Sequence, residues 1–291
     1  MLRKMSIPSG IVNGRISPSS FRGYLRVKWF MGRVLKGFDF LAMQTPEDGD
    51  RIKALGAPQD RVEIMGNMKY DGSFLIPPDR VEKMRREIGL SGESVEAGKP
   101  LWVAGSTHRG EEELVLQVYE ILASRFPDLK LAIAPRHPER FGEVAGVIEK
   151  HGLSYGRFSD APNLPAGWKL LLVDTLGDLP AFYALSTVVF VGGSLVPVGG
   201  HNVIEPAAWG KPVLFGPHMF HFKDVALKMI RAGCGVQVRD VRELSLCVAR
   251  WLESPEERIT LGKQALKVVE ENRGAVDRAV ALIEKHLLPS P

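Results

Sequence analysis

The chain has 291 residues, 45% hydrophobic and 25% charged, with 38 Lys and Arg against 34 Asp and Glu for a formal charge of +4. This composition can bury a core and excludes a disordered chain, the length allows one large or two ordinary domains, and the mild basic excess suits an anionic partner without specifying it. No run approaches the roughly 18 apolar residues of a membrane span, MLRKMSIPSG lacks the apolar stretch of a secretory signal, and Cys234 and Cys247 have no C-x-x-C or zinc-type spacing, so a soluble or peripherally attached cytoplasmic protein with buried free thiols is expected.

Along the chain, Ile11-Val12 is a short strand candidate leading into Asn13-Gly14-Arg15. Phe21, Leu25, Met31, Val34, Leu35 and Phe38 then recur at helical spacing, with Arg22, Arg26 and Arg33 on another face. This basic amphipathic stretch over 21–38 reads equally as an ordinary domain helix with solvated arginines or as a helix suited to an anionic membrane surface. FLAMQ reads as a strand. Thr45 can cap the next helix, with Pro46 at its first position and Glu47 and Asp48 near its positive end, and Gly56 with Pro58 stops it. RVEIMG reads as a strand and NMKYDG as the turn at its carboxyl end, while the prolines at 77–78 and the polar stretch 91–100 mark a link.

Beyond the link, LWVAG (101–105), LKLAIA, KLLLVD, TVVFVGG, KPVLFG and CGVQV are continuous apolar strands, most separated by helical segments. One of these segments, EEELVLQVYEILASRF, carries Leu114, Val118, Ile121 and Leu122 along a stripe. Such alternation predicts a parallel sheet covered on both faces, a complete Rossmann-like domain, whereas the first 75 or so residues make only part of one. Pro255 to Leu288 reads as one or two terminal helices.

Ligands of open parallel sheets sit beyond the carboxyl ends of the strands, and four motifs fall there. Gly105-Ser106-Thr107-His108 offers hydroxyls and amides to a phosphate, or else caps the following helix. In Pro135-Arg136-His137-Pro138, a stiffened arginine presents a planar fork to phosphate or a base carbonyl, or is simply a solvated surface residue. Asp174 to Leu179 resembles a capping box between Thr175 and Asp178 whose first-turn amides can also meet a nucleotide. The strongest is VFVGGSLVPVGGHNVIEPAAWGKPVLFGP, with Gly192-Gly193-Ser194, then Gly199-Gly200 before His201-Asn202. Here Asn202 and Glu205 have capping-box spacing; alternatively the helix start faces a phosphate and Glu205 accepts from ribose hydroxyls. Neither a P-loop nor a G-x-G-x-x-G dinucleotide fingerprint is present, and His218 and His221 lack the partners of a metal site.

GNMKYD, STHRGEEELVL, PRHPERF, DTLGDLPAFYALS and GGSLVPVGGHNVIEPAAWGKPV, in this order, resemble the 3-deoxy-D-manno-octulosonic acid (Kdo) transferases over nearly all of residues 10–230. The resemblance implies an α/β fold of the GT-B type. Residues 1–76 would be the C-terminal portion of an acceptor-side Rossmann-like domain and 77–270 the CMP-sugar donor domain, with a terminal helix at 271–291 packing back on the N-terminal part. It implies an inverting transfer of Kdo from CMP-Kdo to a lipid A precursor at the cytoplasmic face of the inner membrane, with no cofactor, no metal and no nucleic acid. Pro135, Arg136, the turn Leu176-Gly177-Asp178, and Asn202, Val203, Ile204 and Glu205 would bind CMP, with Ser106, Thr107, Ser194, Gly199, Gly200 and His201 as further donor-site candidates. The family commonly has Met-Gly-Glu at that turn, so contacts needing the longer carboxylate are in question here. Lys69 matches the lysine that stabilises transition-state charge, and Arg15 another family motif; each is otherwise a solvated cation. The family's general-base glutamate lies in a preceding segment, and no acidic residue occurs before Asp39, so the resemblance implies a shortened enzyme that keeps donor recognition. The alternatives are a non-catalytic or split nucleotide-binding remnant and a GT-B relative using a UDP-sugar.

Overall fold

A computed structural model of the protein describes residues 5, 7–72, 76–90 and 100–287. Most of the expected polar link (91–99) and most of the basic N-terminus lie outside the described residues. The chain forms two compact units, one within 1–72 and 270–291 and the other within 73–269.

The first unit opens with β1 (Gly10–Gly14), α1 (Pro18–Leu25) and α2 (Lys28–Leu35), followed by β2 (Phe40–Met43), α3 (Pro46–Ala54) and β3 (Val62–Ile64). The three strands pair in parallel in the order β1-β2-β3. The central strand β2 is buried throughout, as its unbroken apolar FLAM requires. Its alternation divides the core. Leu41 and Met43 pack with Ile16, Leu35, Ile52 and Leu55, while Phe40 and Ala42 pack with Met65, Ala275 and Ala279. Thr45 caps α3 as expected, its hydroxyl accepting from the Asp48 amide at 3.1 Å.

The basic stretch 21–38 is two helices rather than one. The amides of Arg26 and Val27 turn back to the carbonyls of Gly23 and Tyr24, a tight i→i+3 closure that ends α1. Leu35 is buried and Phe21, Met31 and Phe38 are partly so, whereas Leu25 and Val34 of the expected apolar face are exposed.

The second unit begins with α4 (Pro78–Glu87), β4 (Leu101–Thr107), α5 (Glu111–Ala123), β5 (Lys130–Pro135), α6 (Phe141–Lys150), β6 (Gly156–Arg157) and β7 (Leu170–Leu172). It continues through α7 (Leu179–Leu185), β8 (Val188–Val191), α8 (Ile204–Ala208), β9 (Val213–Phe215), α9 (Lys223–Arg231), β10 (Gly235–Gln237), α10 (Val241–Glu253) and α11 (Pro255–Glu270). All seven strands are parallel, in the order β10-β9-β8-β4-β5-β7-β6. Each strand expected from an apolar run is present; the two-residue edge strand β6 has too short a run to be visible in sequence. Trp102 and Ala104 of β4 pack with Val115, Val118 and Leu122 of α5 and with Val248 and Trp251 of α10, where burial of each Val or Leu side chain stabilises by about 1.5–3 kcal/mol. The buried face of α5 differs from the expected stripe: Ile121 is 54% exposed, and the face is completed by two buried glutamates, Glu111 and Glu112.

The last helix, α12 (Ala275–Leu287), belongs to the first unit and covers the Phe40 face of its sheet. Asp71 fastens it there, accepting from the amides of Gly274 (2.6 Å) and Val276 (2.7 Å), where a carboxylate meets the positive end of the helix. Arg278 donates to the Met65 carbonyl at 2.7 Å. Replacing Asp71 by Ala should cost about 1–2 kcal/mol. Hydrogen exchange should then quicken in 275–287 while amides of β4 and β5 keep their protection; equal loss in both would contradict this anchoring role.

Candidate functional site

Four adjacent strands, β8, β4, β5 and β7, end in the four motifs that the sequence singles out. The sheet is laid down in two directions from β4, with β5, β7 and β6 on one side and β8, β9 and β10 on the other. Loops leave opposite faces at such a switch point and open a crevice beyond the strand ends.

One carboxylate organises this crevice. Glu111, the first residue of α5, is fully buried. Its Oε2 accepts from the amides of His108 (3.0 Å) and Gly193 (2.6 Å), and its Oε1 from Ser194 and Leu195 (2.9 Å each). Burial pushes the carboxyl up, against the pull of the four backbone donors. The loop after β8 is thereby tied to the loop after β4. Gly192 lets the two backbones meet, because a Cβ there would lie 2.7 Å from the Ser106 oxygen and the Thr107 Cα. Ser194 closes the same joint: buried, it donates to the Val191 carbonyl (2.6 Å) and accepts from the Gly216 amide (2.8 Å). Its hydroxyl is thus engaged inside the fold.

On the β4 side, the strand runs through Thr107 with an irregular register between Gly105 and Thr107, and Ser106 takes φ 56°. A non-glycine residue holds that conformation at a cost. Ser106 is hydrogen-bonded to Tyr183, whose fully buried phenol is pushed well above its usual value by burial and then by the charge of Glu205. The Thr107 hydroxyl is buried and has no hydrogen-bond partner among the described residues. Neither residue caps α5, which starts from Gly110 at φ 91°.

At the end of β5 the two arginines of PRHPER separate. The Arg136 amide donates to the Thr107 carbonyl at 3.0 Å, and its exposed guanidinium forms no ion pair among the described residues. Arg140 is locked, reaching buried Glu112 at 2.7 and 3.1 Å and Glu143 at 3.2 Å. Arg109 takes Glu143 from the other side at 2.9 and 2.7 Å. Arg109 and then Arg140 hold the Glu143 carboxyl down to about 2.

Two histidines meet across the switch point. Nε2 of His108 lies 2.8 Å from Nε2 of His201, with the ring planes 7° apart, and His137 sits edge-on to His108. Burial, followed by His108 and Arg136, holds His201 down to about 4; burial, followed by His137, lowers His108. Gly199, at φ 116°, and Gly200 shape the turn before His201, and the Gly200 amide closes it onto the Gly193 carbonyl at 2.7 Å.

Asn202 forms an Asx turn rather than a capping box. Its Oδ1 accepts from the Ile204 amide (3.1 Å), and its Nδ2 donates to Glu205 Oε1 (3.2 Å), so the glutamate holds the side chain of Asn202 and not its backbone. Val203 and Ile204 are buried. Burial pushes the Glu205 carboxyl up, opposed by Asn202 and Arg136. At the end of β7, Leu176 is 72% exposed and Gly177 takes φ 86°. Asp178 accepts from Thr175 (2.7 Å) and Arg80 (2.8 Å), and α7 starts after it without a side-chain cap, so the expected Thr175 capping box is not formed.

The sequence profile of the 3-deoxy-D-manno-octulosonic-acid transferase (kdotransferase) family matches residues 1–72. A 3-deoxy-D-manno-octulosonic acid transferase of Haemophilus influenzae is 34% identical over 97% of the chain and 65% of its own length. The solved C-terminal CMP-Kdo binding domain of WaaA from Acinetobacter baumannii is 30% identical, with a TM-score of 0.60 over 66% of this chain and 96% of that one. The chain belongs to the Kdo transferase family. A UDP-GlcNAc 2-epimerase of Neisseria meningitidis bound to UDP-GlcNAc, 14% identical with a TM-score of 0.63 over 98% of this chain and 71% of that one, shares the fold alone. The parallel sheets of the two units and these neighbours give a fold of the GT-B type. The chain spans about two thirds of the length of the Haemophilus transferase.

Of the remaining residues matched to Kdo transferase motifs, Arg15 and Lys69 belong to the first unit, both exposed. Their turns are joined, since Asn13 Oδ1 accepts from the Met68 amide at 3.3 Å. Asn67 accepts from the Lys69 amide at 3.0 Å and fixes the short turn carrying it. Sequence reasoning missed Glu111 and the Glu112–Arg140 pair. Their signal was three consecutive glutamates, Glu111 to Glu113, two of them on the buried face of α5 directly after a strand.

Glu111→Gln keeps the shape but sets an amide N–H₂ against backbone N–H donors. It should cost about 2–3 kcal/mol, read as a fall in denaturation midpoint, and should weaken ligand binding in the crevice. A variant as stable as the parent would remove Glu111 from its organising role.

Proposed function

We propose that the chain transfers Kdo from CMP-Kdo to a lipid A precursor in lipopolysaccharide synthesis, inverting the sugar and requiring no metal for the transfer step. The observation that carries this reading is the likeness of 66% of the chain to a solved CMP-Kdo binding domain. The crevice supports it, with an Arg136 that forms no ion pair among the described residues and is electrostatically coupled to Glu205, His108 and His201.

In this reading Pro135 and Arg136 hold the CMP phosphate, the guanidinium fork supplying charge-assisted hydrogen bonds. Glu205, held by Asn202, accepts from the ribose hydroxyls, and Val203 and Ile204 complete that wall. The turn Leu176-Gly177-Asp178 contacts the nucleotide through its backbone, because the Asp178 carboxylate is already engaged by Thr175 and Arg80. Ser106, Thr107, Gly199, Gly200 and His201 line the donor loops. As the glycosyl bond breaks, the CMP phosphate gains negative charge, and Lys69 is the cation assigned to stabilise it.

The acceptor is a phosphorylated lipid, and α1 and α2 suit an anionic surface such as the cytoplasmic face of the inner membrane. Trp29 is 70% and Phe30 51% exposed, beside Arg22, Arg26, Lys28 and Arg33. No helix of the described residues is long and apolar enough to cross a membrane, so this patch would act from one side, with rings at the headgroup level and cations on anionic lipid.

Calorimetric titration tests the donor assignment. CMP should bind in preference to UMP, and Arg136→Ala should weaken CMP about 10- to 100-fold. Equal binding of UMP would favour a UDP-sugar relative, and no CMP binding by the folded chain would end the assignment. For the surface, the protein should sediment with vesicles containing phosphatidylglycerol and not with neutral ones. Replacing Trp29 and Phe30 together by Ser should release it; undiminished sedimentation would locate the contact elsewhere.

A further inference from the structure

We infer that His108 and His201 form a proton-loading clamp for the donor phosphate: when the phosphate enters the crevice, the imidazole pair takes up one proton from solvent and holds the anion as a hydrogen-bonded imidazole–imidazolium. The inference rests on the donor-site reading above and deepens it by naming the groups that respond to the phosphate charge.

The geometry of the pair supplies the first argument. At 2.8 Å between the two Nε2 atoms, one ring donates and the other accepts. The donating ring then has a lone pair at Nδ1, and the accepting ring an N–H there. Neither ring makes any other hydrogen bond among the described residues. Adding a proton at the free Nδ1 gives the pair two outward N–H donors and a single positive charge, and leaves the Nε2–H···Nε2 bond intact. One proton is consumed and no other bond changes.

The surroundings supply the second. His137, Arg140 and Arg136 act on the pair from the end of β5 and the turn after it, and His221 acts on it from the loop after β9. The carboxylates nearby are already committed. Glu111 is held by four backbone amides, and Glu112 and Glu143 by arginines. Glu205 is held by Asn202, and Glu139 lies 3.9 Å from His137. The crevice therefore gathers cationic and protonatable groups around an imidazole pair with no counter-charge of its own. Burial and these neighbours keep the empty pair neutral, and a bound anion reverses the balance. A phosphodiester brings one negative charge, and glycosyl transfer raises it to two on the departing monoester, so a charged clamp meets the product of the step as well as the substrate.

The probe is cytidine 5′-methylphosphate, a diester with no proton of its own to gain near neutrality, with plain cytidine as the phosphate-free control. Titration of the full chain in buffers of different ionisation heat should show proton uptake with the diester and none with cytidine. Uptake should grow from about pH 8 to about pH 6, with affinity tightening towards about tenfold per pH unit as a whole proton is bound. His108→Gln and His201→Gln should each bind the diester more weakly and lose the uptake. In wild-type protein labelled with ¹⁵N-histidine, saturation with the diester should move one linked pair of rings from neutral to cationic shifts, a readout that needs no variant to fold. Diester binding without proton uptake, uptake retained in both variants, or unchanged ring shifts would overturn the clamp while leaving the donor site standing. If neither cytidine nor its diester binds at any pH, the donor-site reading fails and the clamp fails with it.

Discussion

The second unit depends on a charge placed where proteins seldom put one. Glu111 is removed from water at the start of α5, and four backbone amides from two different loops converge on its two oxygens. An isolated buried carboxylate would be costly, and so would four buried amides without acceptors; each offsets the other. The arrangement also fixes geometry, since loops after β4 and β8 that share one carboxylate cannot drift apart separately. Gly192 and Ser194 work within the same joint, one by allowing close approach and the other by bridging the Val191 carbonyl to the Gly216 amide. His108 on one loop and Gly193, Ser194 and Leu195 on the other are held through this contact.

The same logic separates the arginines of PRHPER. Arg140 and Arg109 are paired with Glu112 and Glu143, so they brace the edge of the crevice. Arg136, held by its backbone to Thr107, keeps its charge uncompensated by any ion pair among the described residues. Arg136 differs from Arg140 and Arg109 in having no ion-pair partner among the described residues, and sequence spacing alone does not distinguish them.

Strand positions were legible because parallel strands buried on both faces must be unbroken apolar runs, and FLAM, LWVAG and VVFV are such runs. The crevice was legible for a related reason: glycines and polar residues directly after such runs mark strand ends. What stayed hidden was polar and tertiary. The buried face of α5 includes two glutamates that an apolar periodicity counts as solvent-facing, which displaced the expected stripe towards the exposed Ile121. Asn202 and Glu205 have capping-box spacing, yet a side-chain bond between them produces a different turn. The break between α1 and α2 depends on two i→i+3 bonds that helical spacing does not reveal.

The path of α12 has a consequence for biogenesis. The second unit is contiguous in sequence, but the first is split, its opening strands emerging from the ribosome some two hundred residues before the helix that covers Phe40, Ala42 and Met65. During synthesis the later unit can close its sheet as soon as its own residues are out, because domains fold as units. The earlier one must wait with an apolar sheet face uncovered until α12 has emerged, and Asp71 must wait with it for the amides it will hold. The unit whose strands come earlier in the sequence is therefore completed later, and its Phe40 face stays open until α12 closes it.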